Sequence, residues 1–435
     1  MSSKQLVYAS LAVLFLINIL NFYDRNVAGA LTEPLKQEFK LSDGEVGLLN
    51  SAFIWLYALA GLPLGRLADK GNRKLILFGG VVVWCLLTAS TALAQTYWQL
   101  LVARLGVAVG EAVVAPTATS WIGDLAPPEK RSRALAVFML GVPIGGALSY
   151  AFSGPIAQTY GWRAAMVLAA VPALLLAPAL LLINEPRRGA AETHGAGPDS
   201  GQSMWSVLRI PTLRWIIASG VFLNFNMYAI HVFLPSLLIR IHGMTLANAG
   251  LAVGAILASG GLMGAGLAAY LGDRIILKHR NGRMKLAALF AVVGAPLALF
   301  GVLQPVGAVW MSAIFLVGAY ACCNSYYGLV YASIQDIVPP RLRASTMSIY
   351  FMLMYFCGAS MGPLLTGALS DWRARAAAGT EVINAQHRAI GLQEAMLILP
   401  VLALLLGAVL YAGSRTIATD ISHREKLARD TGVAA

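Results

Sequence analysis

Long apolar runs separated by short polar segments dominate the chain. A helix of about 20 apolar residues is long enough to cross the hydrocarbon core of a bilayer. The pattern therefore predicts an all-α integral membrane protein with twelve transmembrane helices. The predicted spans are residues 6–31, 45–67, 75–94, 97–123, 132–157, 163–183, 212–240, 246–270, 285–304, 307–335, 343–370 and 390–413.

One segment interrupts this pattern near the middle of the chain. Residues 186–203 are rich in Pro, Gly, Ala, Ser and Arg and show no apolar period, which is typical of a flexible linker. Six predicted spans precede this segment and six follow it. The predicted divisions are an N-terminal six-helix half at 1–185, a cytoplasmic linker at 186–211, a C-terminal six-helix half at 212–415 and a cytoplasmic tail at 416–435.

A weak internal repeat supports two related halves. The segment after the fourth span reads DLAPPEKR, and the segment after the tenth span reads DIVPPRLR. Parallel halves related by an axis along the membrane normal are a known transporter architecture. Three pairs of segments recur in the same order: 124–131 with 336–343, 154–155 with 362–363, and 162–163 with 372–373.

Composition and charge agree with a membrane protein. The chain is 58% hydrophobic and only 12% charged, with a mean hydropathy of +0.69, whereas soluble domains carry about 25% charged residues. Most of the 32 Lys and Arg residues lie in loops on the side of the N-terminus. Positive residues mark the cytoplasmic side, so we expect an inner-membrane or plasma-membrane protein with both termini in the cytoplasm. The net charge of +12 follows this topology, and the sequence contains no nucleic-acid-binding motif.

Several functional classes are disfavoured by the sequence. The four cysteines all lie in predicted spans without Cys-x-x-Cys spacing, so we expect no disulfide, no metal site and no cofactor. The chain has no Gly-x-Ser-x-Gly motif and no phosphate-binding loop, so we do not expect an enzyme. A receptor or scaffold would need a soluble signalling domain, and the predicted loops and tail are too short for one.

The loop between the second and third spans carries a specific motif. Residues 65–74 read GRLADKGNRK, which resembles the signature G-x-L-A-D-R-x-G-R-K of the major facilitator superfamily. The resemblance implies two six-helix halves, a monomer, and a cytoplasmic gate formed by Asp69, Arg73 and Asp124. The alternative is a solvated loop whose charges only orient the chain. The corresponding loop of the second half, residues 272–283, is degenerate, which predicts an asymmetric gate.

Within this superfamily, the chain resembles the spinster-like transporters. The resemblance implies redistribution of an amphipathic anionic lipid, such as a lysophospholipid or a sphingoid phosphate, driven by protons. Anion symporters of the same superfamily also carry Asp-Arg in span one and Gly-Glu-Ala in span four, so a small anionic substrate taken up with protons stays open. The matching stretches are 21–25, 72–74, 110–112 and 122–125.

Predicted spans one and four together contain four charged residues away from the span ends, where each costs roughly 2.5–3.5 kcal/mol on insertion scales. Asp24 and Arg25 lie at the far end of the first apolar run, and Arg104 and Glu111 lie in span four. Seven residues turn an α-helix by about 700°, so Arg104 and Glu111 share a helix face. In the resembled superfamily, spans one and four line the central cavity, which implies that the four side chains meet.

This charged cluster predicts a binding and coupling site. Two acids and two bases are formally neutral together, which lowers the cost of burying them. We expect Asp24 or Glu111 to carry the coupling proton and Arg25 to contact an anionic headgroup, because a guanidinium fork is planar and always charged. Arg104 is a candidate for the same substrate site and for a structural role. The alternative is a static salt-bridge cluster that only joins helices.

Polar side chains form stripes in two spans of the second half. Asn224 and Tyr228 lie at i and i+4 in span seven, and Asn324, Tyr327 and Tyr331 lie at i, i+3 and i+7 in span ten. Each set therefore shares one helix face. We expect these residues to contact substrate, with polar groups near the headgroup and rings along the tail. The alternative is hydrogen bonding between helices.

Overall fold

The computed structural model describes residues 3–126, 134–135, 137–183, 185–186, 204–338, 342–379 and 382–430. Among these residues, twelve helical segments are long and apolar enough to cross a membrane, which confirms the predicted all-α architecture. We number them as spans 1 to 12: Leu6–Ala30, Asp43–Gly65, Arg73–Thr91, Tyr97–Leu125, Val137–Tyr160, Trp162–Leu182, Pro211–His242, Leu246–Ile276, Gly282–Val302, Val309–Ile337, Thr346–Ala378 and Ala385–Lys426.

Spans 4 and 11 are not regular along their whole length. Span 4 consists of helices Tyr97–Glu111 and Val114–Leu125. The break follows from Pro116, which has no N–H to donate to the carbonyl four residues earlier. Span 11 contains a π-helical turn at Met354–Ala359, and such turns are frequent at functional sites.

The last helix continues beyond the predicted span at 390–413. It runs from Ile398 to Asp430 and so includes most of the predicted tail. The charged end of this helix is held by polar contacts as well as by the buried side chains of Ile417 and Ile421, and hydropathy does not detect the polar contacts. Two contacts are the Thr212 N–H donating to Asp420 Oδ2 at 2.9 Å, and Arg280 Nη1 at 3.1 Å from Glu425 Oε2.

The chain packs as two compact units. The first unit comprises the described residues of Met1–Pro198 with His231–Ile239 and Met244–Ala255. The second unit comprises Asp199–Ile230, Arg240–Gly243 and Ile256–Ala435, again for the described residues. The unit border therefore crosses spans 7 and 8, whereas the predicted halves follow chain order. Most of the predicted linker, residues 187–203, lies outside the described residues.

In the first unit, span 5 lies against span 1 with almost no space between their backbones. A Cβ atom added to Gly145 would lie 2.2 Å from the carbonyl oxygen of Ile19, a distance that real Cβ atoms do not reach. The neighbouring Gly146 has more room, since an added Cβ would lie 3.5 Å from Asn26 Nδ2. Only glycine at position 145 therefore permits this helix contact.

Gly145→Ala is expected to destabilise the fold by about 1–3 kcal/mol, the usual cost of overpacking a close contact. Gly146→Ala is the matched control, because it adds the same methyl group one residue away without a clash. Thermal unfolding of the purified variants in detergent measures both. Equal melting temperatures for the two variants would contradict the close contact between spans 1 and 5.

Candidate functional site

Asp24 is completely buried in span 1 and has partners from two other spans. Its Oδ2 accepts a hydrogen bond from Thr88 Oγ1 of span 3 at 2.6 Å. Its Oδ1 accepts one from Arg104 Nη1 of span 4 at 3.2 Å. Both carboxylate oxygens are therefore satisfied, and Asp24 and Arg104 form a buried ion pair with side chains 0% and 2% exposed.

Arg25, the next residue, forms a second ion pair with Glu111, at the end of the first helix of span 4. Its Nε lies 3.1 Å from Glu111 Oε2. The guanidinium carbon lies over the rings of Tyr57 and Phe22, at 4.0 and 4.6 Å from their centroids. A guanidinium over aromatic faces gains a cation–π contribution when it is desolvated. This arrangement keeps the Arg25 side chain at 7% exposure.

Glu111 differs from Asp24 in one respect that bears on its chemistry. The carboxylate is fully buried, and its Oε1 has no hydrogen-bond partner. A buried polar atom without a partner keeps its full desolvation cost, about 1–3 kcal/mol and more for charged groups. The four predicted residues thus meet in two pairs, Asp24 with Arg104 and Arg25 with Glu111.

Sequence reasoning missed the uncharged neighbours of this cluster. Span 2 supplies Phe53 and Tyr57, and Phe53 lies under the guanidinium of Arg104 at 4.8 Å. The two aromatic residues are four apart, which places them on one helix face, so their spacing was a usable signal. Thr88 gave a weaker signal, because it is one of three hydroxyl residues within 88–91 and the sequence does not distinguish it from the other two.

The predicted gate residues Arg73 and Asp124 are brought together in the first unit. Arg73 Nη1 lies 2.5 Å from Asp124 Oδ2 and 3.1 Å from Ser120 Oγ, and its side chain is 1% exposed. Glu185, which the sequence did not single out, accepts from Arg73 Nε at 2.9 Å. The side chain of Asp69 lies outside the described residues. Arg73 thereby ties the start of span 3 to the ends of spans 4 and 6.

The second unit repeats this arrangement despite its degenerate loop. Arg283 Nη1 at the start of span 9 lies 2.8 Å from Asp336 Oδ2 at the end of span 10. Asp336 is the residue that the internal repeat aligns with Asp124. Arg283 is more exposed than Arg73, with 18% against 1% of its side chain accessible. The pairing is therefore common to both units, and burial is what differs between them.

Arg73→Ala is expected to cost about 1–3 kcal/mol of stability, because two half-buried carboxylates, Asp124 and Glu185, lose the buried cation that they share. Arg283→Ala is the comparison, and its more exposed pair is expected to cost about 0–1 kcal/mol. Thermal unfolding of both variants in one detergent measures the difference. A larger loss of stability for Arg283→Ala than for Arg73→Ala would contradict the conclusion that the more buried ion pairs of Arg73 contribute more to stability.

The polar stripes of the second half are only partly assembled as predicted. Tyr327 OH donates to Asn224 Oδ1 at 3.5 Å, and Asn224 Nδ2 also donates to Gly220 O at 2.9 Å. Asn324 Nδ2 instead donates to the carbonyl of Gly261 in span 8 at 2.8 Å. Asn324 therefore joins two spans, as the hydrogen-bonding alternative predicted.

Aromatic rings extend this stripe through the second unit. Tyr327 and Tyr331 lie edge to face with centroids 5.5 Å apart, and Tyr331 meets Phe351 of span 11 at 5.7 Å. Phe351 stacks with Tyr355 at 6.4 Å, which meets Tyr228 of span 7 at 6.1 Å. All five side chains are half-buried. Together they form a continuous aromatic surface, which we call the aromatic stripe.

Comparison with known proteins is consistent with a membrane transporter. Residues 14–363 match the family model of the Major Facilitator Superfamily. An MFS-type efflux pump of Mycolicibacterium smegmatis is 30% identical over 405 residues, which cover 93% of this chain and 91% of that protein. Protein spinster homolog 1 of Bos taurus is 28% identical over 381 residues, which cover 83% of this chain and 72% of that protein.

Solved structures show the same similarity. A bacterial homolog of the human lysosomal transporter Spinster, solved in an inward-facing and unoccupied conformation, superposes with a TM-score of 0.86. The identity is 26%, and the match covers 96% of this chain and 98% of that one. A D-xylose–proton symporter has a TM-score of 0.73 at 16% identity, over 92% of this chain and 97% of that one, and shares the fold.

Proposed function

We propose that this chain, which belongs to the Major Facilitator Superfamily, moves an amphipathic anionic lipid across the membrane by alternating access coupled to protons. A lysophospholipid or a sphingoid phosphate has the required chemistry. The observation that carries the proposal is the buried Arg25–Glu111 pair, in which one carboxylate oxygen has no partner. Similarity to a bacterial homolog of the lysosomal transporter Spinster supports the transport function.

Arg25 is the proposed contact for the phosphate of the substrate. Its fork can bind two phosphate oxygens, and the aromatic rings beside it exclude water from the pair. A phosphate that binds Arg25 competes with Glu111 for the same guanidinium. Substrate binding therefore releases the Glu111 carboxylate into an apolar setting, where protonation removes the cost of an unpaired buried charge.

Glu111 is the proposed proton carrier in preference to Asp24. Both oxygens of Asp24 accept hydrogen bonds, and its ion pair with Arg104 lies apart from the headgroup contact. Glu111 has one unpartnered oxygen and shares its cation with the substrate. Arg104 is accordingly assigned a structural role, in which its positive charge keeps Asp24 ionised. The substrate phosphate then takes the place of Glu111 at the Arg25 guanidinium, and the displaced carboxylate takes up a proton. Substrate binding and protonation are coupled in this way.

The aromatic stripe is the proposed contact for the apolar chain of the substrate. Its rings are half-buried and carry no charge, and their faces offer a broad apolar surface. Tyr327 supplies a hydroxyl on the same surface. Asn224 and Asn324 are weaker candidates for substrate contact, because Asn224 is 1% exposed and its amide donates to Gly220 O, and the amide of Asn324 donates to Gly261 O.

The remaining assignments follow from the charge pattern and the family. The end that carries the 65–74 motif is proposed to face the cytoplasm, with both termini there, in an inner or plasma membrane. The protein is proposed to act as a monomer. A small organic anion taken up with protons is the second candidate substrate, because the same arginine and carboxylate would serve it.

Binding to the purified protein in lipid nanodiscs separates the two substrates. Lysophosphatidylglycerol and gluconate are each titrated at pH 6 and at pH 8, with empty nanodiscs as the background for lipid partitioning. The proposal predicts saturable binding of the lysolipid and none of gluconate. Binding of gluconate alone would leave the fold and the coupling residues in place and overturn the lipid assignment.

A further inference from the structure

Span 7 contains a backbone carbonyl whose usual helical donor is missing. The helix is continuous from Pro211 to His242 and has Pro235 inside it. The carbonyl of His231 should accept from the N–H four residues later, and that residue is Pro235, which has no N–H. Tyr150 of span 5 donates its hydroxyl to this carbonyl. A side chain from another span thus replaces the missing helical donor.

Span 1 packs closely against this hydrogen bond between spans 5 and 7. Tyr150 is 0% exposed. A Cβ atom added to Gly29 would lie 2.9 Å from the Tyr150 hydroxyl oxygen and 3.2 Å from the His231 carbonyl oxygen, so a larger residue would separate them. The contact therefore requires a glycine in span 1, a tyrosine in span 5 and a proline in span 7.

Span 8 is held to span 5 by a related device. The N–H of Ala247, in the first turn of span 8, has no acceptor within its helix and donates to Gln158 Oε1 at 2.9 Å. Nearby, the backbones touch, because a Cβ atom added to Gly154 would lie 2.7 Å from the carbonyl oxygen of Leu246. Spans 7 and 8 thus each offer span 5 a backbone group that lacks a partner within its own helix.

All of these residues belong to the first unit and lie toward one end of their spans. Successive loops between spans lie on alternate sides of the membrane. The 65–74 motif follows span 2, whereas these residues lie near the loops that follow spans 1, 5 and 7, so they are at the opposite end from the motif. A transporter that works by alternating access must separate helices at each end in turn. Span 5 belongs to the first predicted half and spans 7 and 8 to the second, so under the proposed alternating access these are contacts that the cycle must break.

We propose that Tyr150 and Pro235 form a latch that closes this end of the transporter. The latch consists of the Tyr150 hydroxyl and the His231 carbonyl, to which Pro235 cannot donate because it has no N–H. Opening breaks the hydrogen bond from the Tyr150 hydroxyl to the His231 carbonyl. The latch thus sets the balance between the closed and open states of this end without contacting substrate. The proposal rests on alternating access, which is part of the proposed function.

Tyr150→Phe tests the latch by removing only the hydroxyl. Hydrogen exchange of the peptide covering Met244–Ala255 reports opening of this end, and no variant residue lies within it. Tyr150→Phe is expected to speed that exchange by about three- to tenfold, as loss of one buried hydrogen bond predicts. Tyr23→Phe is the matched control, since its hydroxyl pairs with Ser153 between spans 1 and 5 and is expected to leave this peptide unchanged.

A double-variant cycle identifies the role of the proline. Pro235→Ala restores a donor for the His231 carbonyl within span 7, so adding Tyr150→Phe to it is expected to have little further effect. An equal effect of Tyr150→Phe in both backgrounds, or none in either, would overturn the latch. If Tyr150→Phe does not fold, Pro235→Ala alone tests the latch. Its new N–H competes with Tyr150 for the His231 carbonyl, so faster hydrogen exchange of Met244–Ala255 is expected. Unchanged exchange would contradict the latch.

The readout needs no substrate, so the latch and the proposed transport can fail separately. Faster exchange in Tyr150→Phe without lysolipid binding by the parent protein would support the latch and overturn the substrate assignment. Unchanged hydrogen exchange in Tyr150→Phe together with lysolipid transport by the parent protein would overturn the latch and support the substrate assignment.

Discussion

Replacing Glu111 by glutamine is expected to abolish proton-driven accumulation of substrate while leaving exchange of substrate for substrate intact. Glutamine keeps the size of the side chain and an oxygen that can accept from Arg25 Nε, which lies 3.1 Å from Glu111 Oε2. It cannot take up a proton. Exchange needs only substrate binding and the conformational cycle, whereas uphill transport needs a site that is protonated on one side and deprotonated on the other.

Uptake of labelled lysolipid into liposomes, with and without a pH gradient, measures both activities. Asp24→Asn is the comparison, and its main expected effect is loss of folded protein, because Arg104 would be left as a buried charge without its partner. Uphill transport by Glu111→Gln at the parent rate would remove Glu111 as the carrier. The same result for a well-folded Asp24→Asn would remove Asp24 as well.

Arg25→Ala is expected to weaken substrate binding by at least about 30-fold, which corresponds to about 2 kcal/mol at the low end for a buried charged contact. The loss has two sources. The phosphate loses a bidentate donor, and Glu111 loses its cation partner. Arg25→Lys keeps the charge without the planar fork, so partial binding is expected. Equilibrium binding of radiolabelled lysolipid in nanodiscs measures all three proteins.

The matched comparison decides what Arg25 does. If Arg25→Lys and Arg25→Ala bind equally weakly, the fork geometry is essential. If both bind as the parent does, Arg25 has no role with the headgroup and its ion pair with Glu111 is structural. Arg25 is partly accessible at 7%, whereas Arg104 at 2% is more deeply enclosed, which is why the strong effect is expected at Arg25.

The fold was largely readable from the sequence because a bilayer imposes simple rules. An apolar length of about 20 residues defines a span, and this alone located the twelve spans. The same rule could not show that the last helix extends to Asp430, because polar contacts such as Thr212 N–H with Asp420 hold that extension. It also could not show the short helix Thr32–Phe39 after span 1, which is amphipathic and too short to cross a membrane.

The charged cluster was predictable in membership but not in pairing. Helix periodicity placed Arg104 and Glu111 on one face, yet both acids were then possible partners for either arginine. The structure pairs Arg25 with Glu111 and Asp24 with Arg104. Rotation of span 1 decides this choice, and it depends on the glycine contacts of span 5, which a single sequence does not express as a pattern.

Contacts across the aromatic stripe were harder to foresee. The contacts of Phe351 with Tyr331 and of Tyr355 with Tyr228 join residues of different spans, and spacing within one helix does not predict such contacts. The π-helical turn that begins at Met354 also changes the helix between Phe351 and Tyr355. Glu185 was missed for another reason, since an acid at the end of a span resembles any solvated loop residue until its partner Arg73 is located.

Proton uptake on substrate binding tests the coupling of Arg25 and Glu111 most directly. Purified protein in weakly buffered solution is titrated with lysolipid while a pH indicator records protons taken up. The parent protein is expected to take up protons as substrate displaces Glu111 from Arg25, and Glu111→Gln is expected to bind substrate without proton uptake. Substrate binding by the parent without proton uptake, or equal uptake by Glu111→Gln, would contradict coupling at this pair.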